Sequence, residues 1–451
     1  MRTVRIGNGC GFWGDNLDAP VRLAETGRLD YLTLEYLAEL TMSILAQQKQ
    51  RSSDAGFASD FLDVLERLTA ALQNQPGLKL ITNAGGMKPL ACAERAREVL
   101  KRNGLSSLRV GVVSGDDLMP RLDELLEGGH ALANLDTGAP LSGIRERVVS
   151  ANAYLGAPPI VEALRQGASI VVTGRVADAS LTLAPAVHEF GWAWDDWNRL
   201  AAGTVAGHLI ECGAQATGGL WCNWRDGANL ASVGYPIAEI GPDGAFVLTK
   251  PEGSGGAVNT ETVAEQLLYE VGDPSAYLTP DVTADFTSVS LSPAGKDRVR
   301  VETRRGEPAT ATYKVSAAYR DGYTASGMLV IAGPDATAKA RECGTMLLDR
   351  LRAVGMDYAH SNVECLGAGA CAPGIITPAT DPPEVVLRVS VRDPRKAAVE
   401  RFTKEFAPLV TSGPPGVTGY TTGRPAAREV LAYWPALIAK DAVKPEVRIV
   451  G

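Results

Sequence analysis

Four glycine-rich segments of this 451-residue chain carry side chains able to do chemistry, and each follows a short apolar run. The first holds Asn8 and Asp15 among Gly7, Gly9, Gly11 and Gly14. The second is Asn83-Ala84-Gly85-Gly86, the third Ser114-Gly115-Asp116-Asp117, and the fourth Thr173-Gly174-Arg175-Val176-Ala177-Asp178. Glycine lets backbone amides approach a ligand closely. A helix that starts just afterwards adds a field favourable to anions. A binding pocket lined by Asn8, Asp15, Asn83, Gly85, Gly86, Asp116, Gly174 and Arg175 is therefore expected. Tight turns without a ligand are the competing reading, although turns alone do not call for the neighbouring Asn, Asp and Arg.

Within the fourth segment, Arg175 offers a planar fork suited to a carboxylate or phosphate. Asp178 could orient that fork or act as a base; a structural Arg–Asp pair at a helix start is the alternative. His208 and Glu211 lie three apart, on one helix face. They read as a general acid–base pair or as a buried structural pair, so Asp178, His208 and Glu211 are the candidate catalytic residues. Four histidines in the whole chain argue against zinc. A divalent metal on carboxylates stays open, with Asp116, Asp117 and Asp178 as candidate ligands. Cys212 follows Glu211 and lies four residues after His208. A nucleophilic thiol needs an electropositive setting, and a core cysteine is the plainer reading. No G-x-S-x-G elbow is present.

Gly9, Gly11 and Gly14 spell G-x-G-x-x-G after a predicted strand, with Glu35 near the distance of a ribose-binding acid. Phe12 and Trp13 fill the loop where a pyrophosphate would pass, and the helix that follows is short. A nicotinamide-dependent oxidoreductase is thus an alternative rather than the leading reading. Lys250-Pro251-Glu252-Gly253-Ser254-Gly255-Gly256 resembles an anion-binding loop, but its lysine precedes the glycines and it is no Walker motif. It reads as a lid or an ordinary surface turn.

The elements that would position these residues alternate between strand and helix. Strands are expected at residues 4–6, 31–35, 78–82, 108–113 and 169–172, with helices at 18–26, 58–73, 89–102 and 159–165. Such alternation predicts an α/β fold, a parallel sheet with helices on both faces. Past residue 215 the chain turns to loops and short strands. Beyond about 285 it becomes β-rich, with alternation at 298–302, a hairpin turn at 304–307 and alternation again at 310–315. Helices at 336–353 and 394–407 enclose a strand at 384–389. The expected organisation is a ligand-binding α/β domain at 1–285 and a smaller α+β domain with antiparallel strands at 286–451. The Gly- and Pro-rich stretch from residue 411 is expected to wrap the surface.

Composition removes several classes of function. The net charge is −8 and no basic block occurs, so nucleic acid is a poor partner. No apolar run reaches transmembrane length, and no signal-peptide h-region follows Met1. Seven scattered cysteines without a C-x-x-C pair point to reduced thiols and a cytoplasmic protein. The 48 glycines exceed the roughly 32 expected at about 7% usage, and many fall at the predicted strand ends.

Taken together, the segments resemble the acyclic terpene utilisation (AtuA) family. Val172-Thr173-Gly174-Arg175-Val176-Ala177-Asp178-Ala179-Ser180 and Gly207-His208-Leu209-Ile210-Glu211-Cys212-Gly213 are among the segments that carry the resemblance. Residues 30–41, 81–86, 152–157, 217–219, 265–271 and 278–282 extend it over nearly the whole chain. The resemblance implies breakdown of branched acyclic terpenoids through acyl-CoA intermediates, with CoA entering as part of the substrate. It also implies a small ferredoxin-like domain. No segment up to Gly451 resembles that domain, which is expected either as a separate subunit or not at all. The resulting expectation is a cytoplasmic enzyme with a small-molecule substrate, lyase or hydrolase chemistry and a homo-oligomeric state. The competing class is a non-catalytic subunit or scaffold of a catabolic complex.

Overall fold

The structure is a computed structural model that describes residues 2–52, 55–378, 380–419 and 423–450. They divide into two compact units. Tyr319–Ala432 forms the second, and the rest of the described chain forms the first. Residues 286–318 and 433–450 thus belong with the first unit. The change of sequence texture near 285 reflects local pattern, whereas the division at 318 reflects packing.

A ten-stranded sheet organises the first unit. Its spatial order is Ser290–Pro293, Arg298–Glu302, Phe246–Thr249, Ile237–Ile240, Val4–Asn8, Tyr31–Leu34, Lys79–Thr82, Ile170–Thr173, Val110–Ser114 and Glu446–Val450. The five strands from Val4–Asn8 to Val110–Ser114 are mutually parallel. The other five pair antiparallel. The expected parallel sheet is therefore the middle of a larger mixed one. Tyr31–Leu34 and Ile170–Thr173 are buried at every position, as continuous apolar runs in a parallel sheet require. Arg298–Glu302 alternates between buried and more exposed residues, the pattern of an antiparallel strand.

Register brings the carboxyl ends of the parallel strands together. Asn8 stands beside Thr33, Leu34 beside Thr82, and Thr82 beside Val172. The helices expected between them are Ala19–Thr26, Asp60–Asn74, Pro89–Arg102 and Pro158–Arg165. Asp60–Asn74 buries Phe61, Val64, Leu65, Leu68, Ala71 and Leu72, a stripe at spacings of three and four. Trp197–Glu211 is buried along nearly its whole length. It packs against a small antiparallel sheet of Tyr277–Leu278, Thr283–Ala284 and Gly306–Glu307. Gly306 and Glu307 were expected in a hairpin turn; instead they pair with Ala284 and Thr283.

The C-terminal expectation also needs correction. Glu446–Val450 does not wrap the surface but pairs with Val110–Ser114 as an edge strand. Its alternating Val447 and Ile449 suit that place better than the surrounding Gly and Pro suggest.

In the second unit, His360–Leu366, Glu384–Asp393, the distal part of Thr312–Ala332 and Val417–Thr418 form an antiparallel sheet. Ala336–Ala353 supplies its main helix. The helix expected at 394–407 is two short ones, Lys396–Phe402 and Phe406–Ser412. Thr403 Oγ1 donates to the Glu400 carbonyl at 2.8 Å, and Phe402 and Phe406 meet edge to face, 5.1 Å apart, in the core. Local side-chain bonding and aromatic packing together outweigh helix continuation there. Among the described residues, no helix is long and apolar enough to cross a membrane.

Candidate functional site

Two of the four glycine segments meet at one cavity beyond the carboxyl ends of Val4–Asn8, Tyr31–Leu34 and Ile170–Thr173, where ligands of parallel sheets bind. The cavity measures about 510 Å³. Gly11, Phe12 and Asp15 come from the first segment and Asp178 from the fourth. Glu35 follows the second strand, and Glu211 and Cys212 end the helix Trp197–Glu211. Gln215, Tyr235, Tyr269 and Glu270 complete the polar lining, while Phe12 and Leu220 supply exposed apolar surface.

Close backbone approach assembles this arrangement. A Cβ on Gly11 would stand 2.7 Å from the Cys212 carbonyl carbon, and one on Gly207 would stand 2.6 Å from Ala179. These two glycines let the end of the helix sit against both the first loop and the turn that carries Asp178.

Arg175 is the organising cation. Its side chain is 1% exposed and reaches Asp178 Oδ1 at 2.9 Å and Glu35 Oε1 at 3.9 Å. It donates to the Leu37 carbonyl and lies over the Tyr154 ring, 4.0 Å from its centroid. The guanidinium expected to face an anionic ligand is thus occupied by protein groups and holds two cavity carboxylates in place. Glu35 Oε1 accepts from Asn83 Nδ2 and from the Leu37 amide. Burial pushes the Glu35 carboxyl well above its usual range, and the nearby Asp178 adds to that, against the opposing pull of Arg175.

His208 stands behind Glu211 rather than in the cavity lining. Its Nδ1 lies 3.0 Å from Glu211 Oε1 and its Nε2 lies 2.9 Å from the Gln266 carbonyl. Tyr277 and Phe286 close over the ring. Burial alone would lower its proton affinity, but the hydrogen bond and charge of Glu211, with the Gln266 carbonyl, raise it above the ordinary histidine value. Both ring nitrogens face acceptors, the pattern of an imidazolium. Glu35 and Glu211 share a further property. Each commits Oε1 to the protein and leaves Oε2 buried without a hydrogen-bond partner among the described residues.

The remaining expected site residues lie outside the lining. Asn8 Nδ2 donates to the carbonyls of Cys10, Ile210 and Glu211, tying the helix end to the first strand. Asn83 Oδ1 accepts from the Tyr36 amide at 2.7 Å. Gly85 lies against Thr173, whose carbonyl oxygen would stand 2.5 Å from a Cβ, and Gly86 adopts a left-handed turn at φ 48°. Asp116 accepts from Asn152 Nδ2 and the Arg175 amide; burial pushes its carboxyl up to about 6 against those bonds. A Cβ on Gly174 would collide with that carboxylate. Asp15 does face the cavity, accepting from the Gly11 amide and from Tyr235 Oη at 2.6 Å.

The metal expectation finds little support in these placements. Asp116 is engaged as above, Asp117 pairs with Lys49 at 3.3 Å, and Asp178 pairs with Arg175. Among the described residues, no group of three or more His, Cys, Asp or Glu is placed to hold a metal ion. The Cys212 thiol is pushed up to about 12, first by burial and then by Glu211, so it lacks the thiolate character a nucleophile needs. The dinucleotide signature also loses its context, because the helix after Gly14 begins at Ala19 and the Glu35 carboxylate belongs to the Asn83–Arg175 network.

Sequence reasoning missed Gln215, Tyr235, Tyr269 and Glu270, which come from turns and loops from residue 215 onward, and it cast Glu35 in a ribose-binding role. The one signal available for Glu35 was its place at the carboxyl end of a buried strand.

Neither the curated proteins nor the solved structures contain a match to this chain. The model of the acyclic terpene utilisation family protein AtuA matches residues 4–449. The strand-end segments that build the cavity fall within that span, and the chain belongs to the AtuA family.

Proposed function

We propose that the protein is an enzyme of branched, acyclic terpenoid-type catabolism that moves a proton on an acyl-CoA or related organic acid, in lyase or hydrolase chemistry. One observation carries the reading: Glu35 and Glu211 line the same cavity, each with a buried Oε2 that has no hydrogen-bond partner among the described residues. Unpartnered buried carboxyl oxygens are costly unless a ligand or a proton satisfies them. Burial favours the neutral form of Glu35, which suits it to donate a proton to a developing oxyanion or leaving group. Glu211, backed by His208, is the partner that takes a proton from substrate or water. Arg175 and His208 are positioning residues. Phe12, Leu220 and Tyr269 offer apolar surface for a branched hydrocarbon chain. Family membership implies a role in acyclic terpene utilisation. The seven cysteines are unpaired in the structure, as suits a reducing, cytoplasmic setting.

The test is a mass-spectrometric screen of branched acyl-CoA thioesters and the corresponding free acids, followed by Glu211→Gln and Glu35→Gln. On the substrate found, each variant should lose about 10²- to 10⁴-fold in turnover while retaining its circular dichroism spectrum. Wild-type turnover in Glu211→Gln would remove the acid–base assignment, and no conversion of any candidate would remove the enzymatic reading.

A further inference from the structure

A second cavity of about 710 Å³ lies in the first unit near the amino end of Val4–Asn8. Its character is mainly basic: Arg5, Arg28, Lys250, Lys296 and Arg298 line it against two carboxylates, Glu252 and Asp297. Arg5 and Arg298 line it and share Glu239 as their ion-pair partner. Lys250 lines it too, its ammonium held by Asp297 at 3.3 Å and by the Ser254 carbonyl at 2.8 Å. Arg28 and Lys296 face the same space, are exposed, and form no ion pair among the described residues. The loop from Lys250 to Ser254 forms part of the wall.

Two observations mark this cavity as a site rather than a basic stretch of surface. Arg28 and Asp297 both adopt left-handed backbone, at φ 51° and 52°. That conformation costs a non-glycine residue energy and concentrates at functional sites. Leu220 and Glu270, which line the carboxylate cavity, adopt it as well. A third cavity, of about 230 Å³, also adjoins both of the others. It shares Tyr235 with the carboxylate cavity, and Thr26 and Pro251–Ser254 with the basic one. One of its walls is the stripe Ala19, Arg22, Leu23 and Thr26, a single face of the helix Ala19–Thr26. At 1.5 Å per residue that helix spans about 12 Å, so a ligand reaching from one cavity to the other needs an arm of roughly that length.

We propose that the basic cavity binds the phosphate groups of a phosphorylated ligand, with Arg28 and Lys296 as its free cations, and that the trough along Ala19–Thr26 leads its other end to the carboxylate cavity. Fixed positive charge without protein partners is what a phosphate ester recognises. The phosphate site stands by itself; its service to catalysis rests on the acid–base reading above.

Isothermal titration of the full chain with inorganic pyrophosphate, ATP and coenzyme A, at low and at raised salt, tests it. All three should bind, and more weakly as salt rises. Arg28→Glu combined with Lys296→Glu should weaken binding by about tenfold or more with an unchanged melting temperature. Tighter binding of coenzyme A than of ATP identifies a carrier-linked substrate, and equal binding identifies a separate phosphate ligand. No binding of any probe at millimolar concentration, or equal affinity in the double variant, overturns the proposal. Glu211→Gln should leave pyrophosphate affinity unchanged, so a failure of the acid–base reading stays distinct from a failure of this one.

Discussion

The carboxylate cavity and the basic cavity are lined by charged residues, yet they hold charge in different ways. At the carboxyl ends of the strands, Glu35 and Arg175 are buried, and each is defined by its neighbours: Asn83 and Leu37 for one, Asp178, Leu37 and Tyr154 for the other. At the amino end, Arg28 and Lys296 are exposed and have no ion-pair partner among the described residues. For a carboxyl such as Glu35, burial turns charge into a question of protonation, because the neutral form becomes competitive. Exposure leaves charge permanent and answerable to salt. The first region should therefore respond to pH and to loss of a partner, and the second to ionic strength.

The largest effect should come from removing the shared cation. Arg175→Met leaves Asp178 and Glu35 without it and the Leu37 carbonyl without its donor. Breaking a buried pair on one side costs about 3–5 kcal/mol, so denaturant unfolding should show a loss of that size. A loss below about 1 kcal/mol would mean that Arg175 does not organise the cavity.

Next comes a proton-linked effect. Asp116 has a carboxyl raised from near 3.8 to about 6 by burial, so the native state binds the extra proton. Its contribution to stability is then fully present below about pH 4 and is lost as pH rises through about 6. Asn at this position can still accept from Asn152 and Arg175, because both bonds fall on one oxygen, Oδ2. Asp116→Asn should thus gain on wild type by up to about 3 kcal/mol between about pH 4 and pH 7. Parallel stability curves for the two proteins across that range would contradict the assignment.

The smallest effect marks the other side of the comparison. Arg28→Ala should change stability by no more than about 0.5 kcal/mol, as exposed positions without partners do. A larger drop in thermal unfolding would show that Arg28 serves the fold, and would blur the contrast between the two cavities.

Much of the architecture could be read from local pattern. The five central strands and the helices Asp60–Asn74, Pro89–Arg102 and Ala336–Ala353 all follow apolar periodicity that a short window contains. What escaped was non-local. Ile170–Thr173 inserts between Lys79–Thr82 and Val110–Ser114, and Glu446–Val450 closes the edge some 330 residues downstream of its partner strand (446 against 114). In the site, Asp15, Asp178 and Glu211 reach the cavity, while Asn8, Asn83 and Asp116 turn inward to bind backbone and each other's neighbours. Asp178 and Asp116 are the same residue type and each follows a buried parallel strand, yet only the first reaches the cavity, so no local pattern separates them.

By itself, the sequence determined the strand–helix alternation, the glycine-bearing strand ends and membership of the AtuA family, because each is written in short ordered segments. Only the tertiary structure decided which polar side chains line a cavity and which hold it together. That choice depends on where distant elements bring their hydrogen-bond donors. Arg175 is held by Asp178 and the Leu37 carbonyl, and Glu35 keeps one oxygen without a hydrogen-bond partner among the described residues.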